Sequence, residues 1–283
     1  MNSFKYIYKL DKEMAIRDVL LSFGVGKEKI YHFDLQRSFY INGIQVSQYE
    51  ILQKGQTLEI EFNEQIDLAP LGDDLNVVYE DEYYLIVNKP RHILIHDDGN
   101  KNITLANMVA KYYKDHHIRR KIRFCNRLDF DTTGLVIFAK DFISEASMNK
   151  LISNREVEKK YYAICHGNFS QKEGEITYKI GRDRHNAKKM RVSSTGKEAL
   201  TRYKVLKNGR LSLLDVNLYT GRTHQIRLHF SHIKHPILGD ILYGNDGYED
   251  LALQAYHLKF KHPFTNQEIL IKIDLHDDMK KAF

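Results

Sequence analysis

Two carboxylates, Asp129 and Asp131, lie in a polar turn of the segment NRLDFDTTGLVIFAK, which spans Asn126–Lys140. Gly134 closes the turn, and the apolar stretch that follows is typical of a buried strand. Such a strand fixes the backbone while the turn projects side chains, and carboxylates placed in this way can act as bases or nucleophiles. The segment alone favours the alternative that Asp131 and the threonines only shape the turn. Asp129 is the stronger candidate for a reacting group.

A second polar cluster lies in LYTGRTHQIRLHFSHIKHPILGDILYG, which spans Leu218–Gly244. The pattern predicts the end of a strand, a Thr-Gly turn and then a helix whose apolar stripe contains Ile226, Phe230 and Ile233. Four polar residues fall in the turn and the first helical turn: Arg222, His224, Gln225 and Arg227. Free backbone N–H groups at a helix start favour anions, and the two arginines reinforce this preference.

Two other chemistries, a metal site and a thiol nucleophile, have weaker support in the sequence. Four histidines of the second segment suggest a metal site: His224, His229, His232 and His235. However, no two of them have the His-x-x-x-His spacing of a helical zinc site, and the first acidic residue near them is Asp240. A metal-dependent hydrolase is therefore a weak alternative, which bound metal in the purified protein would identify. Cys125 could act as a thiol nucleophile, but the sequence identifies no histidine partner for it. A cysteine that packs in the core is therefore the favoured interpretation.

The composition predicts a folded cytosolic protein with one large and one small domain. The chain has 283 residues, of which 42% are apolar and 28% are charged. Its apolar runs are far shorter than the roughly 20 residues of a membrane helix, and the start MNSFKYIYKLDKEM lacks a signal-peptide apolar stretch. The two cysteines, Cys125 and Cys165, cannot form a disulfide framework, which fits a reducing compartment.

The net charge of +6 is unevenly distributed. Residues 1–65 carry eight basic and nine acidic residues, net −1, which leaves 35 basic and 28 acidic residues, net +7, in the rest. Lys111–Arg127 holds seven basic residues against one acid, and Arg182–Arg210 holds ten against two. Each run alone is equally compatible with a solvated basic face, but two runs that flank the polar motifs favour a nucleic-acid partner.

Patterning predicts a small unit over residues 1–65, a linker over 66–75 and a catalytic domain over 76–283. In the small unit, YINGIQV predicts a hairpin, and the alternation of Leu58, Ile60 and Phe62 predicts a half-buried strand. Beyond the linker, strand patterns dominate. The helices expected there are Thr104–Tyr113, Ile143–Ile152 and Thr223–Ile233. Strands without regular helical crossovers predict an α+β fold with a largely antiparallel sheet.

The two polar segments resemble the signatures of a known family. NRLDFDTTGLVIFAK is similar to HRLDxxTSGLLxFAK of the RluA-type pseudouridine synthases, and the second segment resembles their TGRTHQIRxHxxxxxxPIxGDxxYG block. The resemblance continues in order through YEDEYYLIVNKPRHILIH, EKKYYAICHG, KKMRVSSTGKEALTRYKVL and LQAYHLKFKHPFTN. It covers residues 76–283 and implies the pseudouridine synthase fold with a central cleft. Residues 1–65 resemble, more weakly, the ribosomal-protein-like RNA-binding module that is often fused in front of such enzymes.

The resemblance implies a role for each matched residue. Asp129 matches the essential aspartate, which attacks the anomeric carbon of the target uridine or removes the neighbouring sugar proton to give a glycal. Tyr161 matches the tyrosine that stacks on the base and assists the final proton removal, whereas Tyr162 is expected on the other face of the strand. Arg227 matches the arginine that pairs with the aspartate. Isomerisation exchanges no electrons or groups with solvent, so the resemblance implies no cofactor and no metal.

Four further residues are predicted to bind RNA. Arg127 matches a residue that displaces the target nucleotide from its helix and fills the gap. Arg222, His224 and Lys89 of the Asn-Lys-Pro turn complete the set.

The sequence departs from the family pattern at three positions. Thr133 stands where serine is commoner and Asn266 where glycine often occurs; threonine keeps a hydroxyl and asparagine tolerates turn conformations. Asn126 stands in place of the usual histidine and cannot become cationic, so turn geometry or substrate grip could change. Because Asp129 and its matched partners are present, activity is expected.

The leading hypothesis is a cofactor-independent RNA pseudouridine synthase that acts on ribosomal RNA, with transfer RNA as the other substrate class. No membrane contact and no obligate protein partner are expected. The alternative is a catalytically silent RNA-binding or assembly factor on the same fold, for which Asn126 is the only hint in the sequence.

Overall fold

The computed structural model describes residues 3–9, 13–100 and 102–282, of which residues 3–9 are described by their backbone. Two separate sheets hold most of the strands, and a few short helices pack against them. The predicted α+β class is confirmed. No helix in the described ranges is long and apolar enough to cross a membrane.

The front of the chain forms a four-stranded antiparallel sheet of its own. Its elements are β1 (Ser3–Lys9), β2 (Met14–Ala15), α1 (Ile16–Ser22), α2 (Lys27–Leu35), β3 (Phe39–Ile41), β4 (Ile44–Val46), β5 (Ile51–Leu52) and β6 (Thr57–Asn63), with the sheet order β1-β6-β3-β4. The predicted hairpin is β3–β4, and its turn residues Asn42 and Gly43 have φ values of 52° and 76°. Two successive positive φ values define the turn that matches the twist of a two-residue hairpin, which explains the Asn-Gly pair.

The larger part of the chain is built on a nine-stranded sheet. Its strands are β7 (Val77–Glu80), β8 (Tyr84–Lys89), β9 (Thr133–Ala139), β10 (Glu158–His166), β11 (Glu173–Ile176), β14 (Thr201–Lys207), β15 (Leu211–Leu218), β16 (Leu253–Lys261) and β17 (Glu268–Lys272). They follow the order β11-β14-β15-β10-β16-β9-β8-β7, with β17 paired to β16, and only β16 and β9 pair in parallel. A separate hairpin is formed by β12 (Ile180–Arg182) and β13 (Met190–Val192).

The three helices expected in this part are confirmed within two residues at each end. They are α3 (Leu105–Asp115), α4 (Phe142–Ser153) and α5 (Gln225–His232); a short α6 (Asp277–Lys280) follows near the C-terminus. Thr104 caps α3 and accepts from the N–H of Asn107, while Asp141 caps α4. These side chains satisfy backbone donors that would otherwise lack partners at the start of a helix.

Strand β16 lies between the strand that follows Asp129 and the strand that carries Tyr161. Ala255 of β16 pairs with Gly134 of β9 on one side and with Tyr161 of β10 on the other. At Gly134, which has a φ of 114°, a Cβ atom would lie 2.1 Å from the Ala255 carbonyl oxygen, so only glycine fits. The register of β10 shifts between Lys160 and Tyr161, and such bulges redirect a side chain. The first polar segment and Tyr161 are thereby fixed to one central strand.

The front unit packs against helix α4 of the larger part. Phe142 and Ile143 are buried within the hydrophobic core of the front unit. The Phe142 ring stacks on Phe33 at 4.5 Å between centroids and meets the edge of Phe62 at 5.3 Å. A core residue of the front unit is therefore supplied from outside residues 1–65.

Polar contacts reinforce this packing. Arg123 forms an ion pair with Glu64 at the end of the front unit, and a second one at 3.3 Å with Glu145 of α4. The predicted linker also packs: Ile66 and Leu75 contact the core that surrounds α3. The segment 66–75 is thus a packed connection.

Phe142→Ala is expected to destabilise the protein by about 3–5 kcal/mol, because it removes a ring that two parts of the chain bury together. Urea unfolding of the full chain measures the change. Leu35→Ala, which truncates a side chain that is 64% exposed on the front unit, is the matched control and should cost less than about 0.5 kcal/mol. Equal effects of the two substitutions would contradict the shared core.

Candidate active site

The two polar motifs of the sequence line the same cleft. It has a volume of about 1110 Å³ and lies between the loop 126–132, the start of α5 and the end of β15. Charged and aromatic side chains face it, including Arg127, Asp129, Phe130, Asp131, Arg155, Lys159, Tyr161, Lys188, Tyr219, Arg222, His224 and Arg227. The cleft is large enough for an extruded nucleotide and neighbouring groups, since it slightly exceeds the roughly 300–1,000 Å³ of typical ligand sites.

The loop that carries Asp129 is held at both ends. The Asn126 side chain accepts a hydrogen bond from the N–H of Ile137 at 2.8 Å and donates one to the Leu135 carbonyl at 3.3 Å. Asn126 therefore binds the backbone of β9. At the other end, Gly134 packs against β16. The departure from histidine at position 126 thus preserves an anchored turn.

Two donors face the Asp129 carboxylate. Arg227 Nη1 lies 3.5 Å from Asp129 Oδ2, and His224 Nε2 lies 4.0 Å from the same oxygen. The Asp129 side chain is 28% exposed, whereas that of Arg227 is 3% exposed. A partly exposed carboxylate above a buried guanidinium is well placed to react with a ligand in the cleft.

The principal partner of Arg227 is Asp240, a residue that sequence reasoning did not assign to the site. Arg227 Nε and Nη2 donate to the two carboxylate oxygens of Asp240 at 2.9 and 2.8 Å. Asp240 is fully buried, and its Oδ1 also accepts from the N–H groups of Leu242 and Tyr243. This fork fixes the guanidinium plane, so only Nη1 is turned to Asp129. In the sequence, the Gly239-Asp240 pair of the second polar segment was the feature that could have indicated this residue.

Tyr161 and Tyr162 lie on opposite faces of β10, as expected. Tyr161 lines the cleft, is 6% exposed, and burial and the nearby charge of Asp129 raise its pKa. Tyr162 stacks instead on Tyr256 at 3.7 Å between ring centroids. Tyr161 is therefore a neutral aromatic ring with a protonated hydroxyl beside the carboxylate.

Three of the four residues predicted to bind RNA lie on the cleft. Arg127 is exposed at its margin, and Arg222 lines it while Nε donates to the Glu198 carbonyl at 2.9 Å. His224 is half-buried beside Asp129, and its pKa is lowered by burial. Arg127 and Arg222 face solvent that RNA could occupy, whereas His224 lies deeper.

Lys89 differs from the prediction, because its side chain is fully buried. Its ammonium donates to the carbonyl oxygens of Pro90, Ile93 and Phe130 at 2.9 to 3.0 Å. Burial lowers its pKa to about 8, against the opposing effect of the Asp131 and Asp129 charges. An amine without exposed surface does not reach RNA; it ties the Asn-Lys-Pro turn to the loop that carries Asp129. Neither a lysine nor the Asn-Lys-Pro motif indicates in the sequence that this side chain is buried.

The four histidines of the second motif have different partners. Besides His224 in the cleft, His229 contacts Thr201 Oγ1 and the Tyr178 carbonyl, and His235 Nδ1 lies 2.8 Å from the His166 carbonyl. The His232 ring packs edge to face with the ring of Tyr178 at 4.3 Å between centroids. Within residues 13–100 and 102–282, no three histidine, cysteine, aspartate or glutamate side chains converge as metal ligands. The histidine pattern is explained by these separate contacts.

The cysteines have the environment of core thiols. Cys165 is fully buried in the same core cluster as Tyr161, whereas Cys125 is half-buried at the cleft wall and packs beside the core formed by β8 and β9. Burial raises the pKa of both thiols. Neither thiol is activated as a nucleophile.

Comparison with known proteins identifies the family. The sequence profile described as RNA pseudouridylate synthase matches residues 83–232, which include the loop with Asp129, Tyr161 and Arg227. The chain belongs to the RNA pseudouridylate synthase family. The synthase is thus an isomerase, and the predicted RluA-type resemblance is confirmed.

Similar proteins extend the match over nearly the whole chain. The synthase is 36% identical over 282 residues to the uncharacterized RNA pseudouridine synthase YhcT of Bacillus subtilis, covering 96% of this chain and 93% of that protein. It is 32% identical to the ribosomal large subunit pseudouridine synthase D of Haemophilus ducreyi, covering 93% and 86%. The structure of human RNA pseudouridylate synthase domain containing 1 superposes with a TM-score of 0.61 at 26% identity, over 72% of this chain and 85% of that chain.

Asp240→Asn is expected to lower the rate of pseudouridine formation at least about 100-fold. Without the two hydrogen bonds to Asp240, the Arg227 guanidinium no longer holds Asp129 in place, and a displacement of about 1 Å can cost this much in rate. Breaking a buried ion pair should also cost about 3–5 kcal/mol of stability, so rates are measured at a temperature where circular dichroism shows the variant folded.

The matched control is Asp215→Asn. Asp215 accepts from Tyr256 Oη at 3.0 Å and does not line the cleft. A folded Asp240→Asn protein as active as this control would contradict the role of the fork.

Proposed function

We propose that the synthase isomerises uridine to pseudouridine in ribosomal RNA, with Asp129 acting at the sugar, and that it does so in the cytoplasm. The Asp129 carboxylate, held over a buried arginine in a cleft with basic margins, is the observation that carries the proposal. The name of the Haemophilus ducreyi relative, a ribosomal large subunit synthase, supports the substrate class. Transfer RNA is the competing substrate, and the experiment below includes it.

The reaction breaks the bond between the base nitrogen and the anomeric carbon, turns the base and joins a ring carbon to the sugar. Asp129 either attacks the anomeric carbon or removes the neighbouring sugar proton. Arg227 and His224 both face Oδ2, and the described residues place no hydrogen-bond donor on Oδ1. Oδ1 is therefore the oxygen we assign to the sugar.

Tyr161 supports the base while it turns. Its ring lies on the cleft wall close enough for the charge of Asp129 to raise its pKa, so a base bound beside the carboxylate would stack on it. The hydroxyl remains protonated at neutral pH. We infer that it guides the final proton removal from the ring carbon by hydrogen bonding.

Arg127 and Arg222 handle the RNA around the target. Arg127 is exposed at the cleft margin, where a guanidinium can fill the gap left by an extruded nucleotide. Arg222 has Nε on the Glu198 carbonyl, so its remaining N–H groups are oriented for phosphate.

We also propose that residues 1–65 form an RNA-orienting module, that 66–75 connect it and that 76–283 form the catalytic domain. The separate sheet of the front unit supports this division. With a net charge of −1, the module would orient RNA by shape and local contacts, while the two basic runs of the larger part neutralise phosphates. The shared Phe142 core would keep the module in a fixed position.

The alternative of a silent RNA-binding factor rested on Asn126. The side chain of Asn126 is engaged with the backbone of β9 and anchors the loop. Its replacement of histidine therefore leaves the carboxylate and its partners in place, which favours an active enzyme.

Asp129→Asn is expected to abolish isomerisation while it preserves the fold and RNA affinity, because the amide keeps the volume and lacks a nucleophilic or basic oxygen. Pseudouridine is measured in ribosomal and transfer RNA isolated from cells without the gene and incubated with wild type or variant.

Asp131→Asn, in the same turn, is the control and should retain activity within about tenfold, since its carboxylate lies 3.7 Å from His92 Nε2 and, unlike that of Asp129, forms no ion pair with Arg227. Pseudouridine formation by Asp129→Asn above trace amounts would contradict the assignment of Asp129 as the reacting carboxylate. Modification of transfer RNA alone would replace the proposed substrate.

Arg127→Ala is expected to slow reaction on a structured stem-loop more than on a short flexible oligonucleotide, because extrusion from a helix costs a few kcal/mol that an open strand does not require. The ratio of kcat/KM for the two RNAs is compared with wild type. Equal losses on both RNAs would refute the extrusion role.

A further inference from the structure

His224 has an unusual backbone conformation beside the carboxylate. Its φ is 54°, in the left-handed region, and it immediately precedes helix α5. Non-glycine residues rarely adopt this conformation, and such outliers are concentrated at functional sites. The conformation places the imidazole between Tyr243 and Asp129: Nδ1 lies 3.0 Å from Tyr243 Oη, and Nε2 lies 4.0 Å from Asp129 Oδ2.

The hydrogen bonds of Tyr243 favour one position for the imidazole proton of His224. The Tyr243 oxygen accepts a bond from the N–H of Met190 at 2.8 Å. In the described part of the chain, His224 Nδ1 is the only acceptor for the Tyr243 hydroxyl proton. An Nδ1 that accepts must carry a lone pair, so a neutral imidazole has its proton on Nε2. In this tautomer, the N–H of His224 faces Asp129.

Met190 belongs to a hairpin on the side of the molecule that carries the cleft. Residues 180–192, here called the basic hairpin, contain five basic residues against one acid, and Lys188 at its end lines the cleft. Lys189 Nζ lies 6.0 Å from the centre of the Tyr243 ring. The ring of Tyr243 is thus in contact with both the hairpin and the site.

We propose that His224 and Tyr243 are positioning residues: Tyr243 fixes the His224 tautomer whose Nε2–H faces Asp129, and so couples the basic hairpin to the carboxylate. The inference rests on the role proposed above for Asp129. It assigns His224 a function inside the site in place of direct RNA contact. RNA bound on the basic hairpin would hold β13, and with it Tyr243, in the position that orients the carboxylate.

The electrostatic surroundings predict how the rate depends on pH. The groups that face His224 are Asp129 and Asp131 from the loop, Arg227 from α5, and Asp240 and Tyr243 from the segment after it. Burial lowers the pKa of His224, so the ring is neutral at pH 7. Without the Tyr243 hydroxyl, the other tautomer turns a lone pair toward Asp129, and this lone pair repels the negative charge of the carboxylate.

The first test is Tyr243→Phe, which removes only the hydroxyl. We expect kcat on a ribosomal stem-loop to fall about tenfold to a hundredfold while KM stays within about threefold, because orientation and not binding is lost. We also expect the acidic limb of the kcat profile to move to higher pH. Tyr256→Phe removes a tyrosine hydroxyl that is bonded to Asp215 outside the cleft, and it should change neither quantity.

The second test compares His224→Gln with His224→Leu. Glutamine can place an N–H near the position of Nε2, whereas leucine cannot. We expect the glutamine variant to recover at least about tenfold of the rate lost in the leucine variant, at the same melting temperature. Equal rates of these two folded variants would overturn the inference, since a structural role would not depend on the donor.

Wild type and Asp129→Asn are assayed in parallel. Inactive wild type, or active Asp129→Asn, refutes the proposed function. If wild type is active and Asp129→Asn is inactive, a Tyr243→Phe protein with the kcat and acidic limb of Tyr256→Phe overturns only the positioning role. A fall in kcat together with a shifted limb supports it.

Discussion

The buried fork between Arg227 and Asp240 is the interaction on which the site depends. Removing two charges from water is costly, and this cost is offset only where geometry is good and the remaining lone pairs are satisfied. Here Arg227 Nε and Nη2 each donate a hydrogen bond to one carboxylate oxygen of Asp240, and two backbone N–H groups also donate to this carboxylate. The Arg227 guanidinium is therefore fixed, and its Nη1 faces Asp129. Asp129 can remain partly exposed to ligand because Asp240 already holds its arginine partner in place.

The large sheet provides the frame for this pair. Strand β16 lies between β9 and β10, so the loop with Asp129 and the ring of Tyr161 are fixed on opposite sides of one strand. The close approach at Gly134 and the register shift before Tyr161 set the separation of the two residues. Buried Lys89 braces the same loop from below through the Phe130 carbonyl. Backbone geometry therefore supports the chemistry as much as side-chain identity does.

The distribution of charge and the packing of the front unit point to a division of labour. The net positive charge belongs to the larger part of the chain, which also holds the cleft. The front unit is nearly neutral, yet it shares its core with α4 through Phe142. This packing joins the front unit to the part of the chain that holds the cleft. In the function proposed above, the front unit selects RNA by shape and the larger part supplies the phosphate affinity.

The sequence by itself determined the local features and the residue types of the site. Asn42–Gly43 specified a hairpin turn, the alternation along β6 specified a half-buried strand, and the opposite faces of Tyr161 and Tyr162 followed from strand periodicity. These features depend on neighbours in the chain.

Only the tertiary structure decided which groups meet. Lys89 bonds the carbonyl of a residue 41 positions away, and Phe142 completes a core built from the front unit. Asp240 was visible as part of a motif, but not as the partner that holds Arg227. Burial and pairing of this kind follow from how sheets and helices pack, and a lysine or aspartate has the same letter in the sequence whether it faces water or a carbonyl in the core.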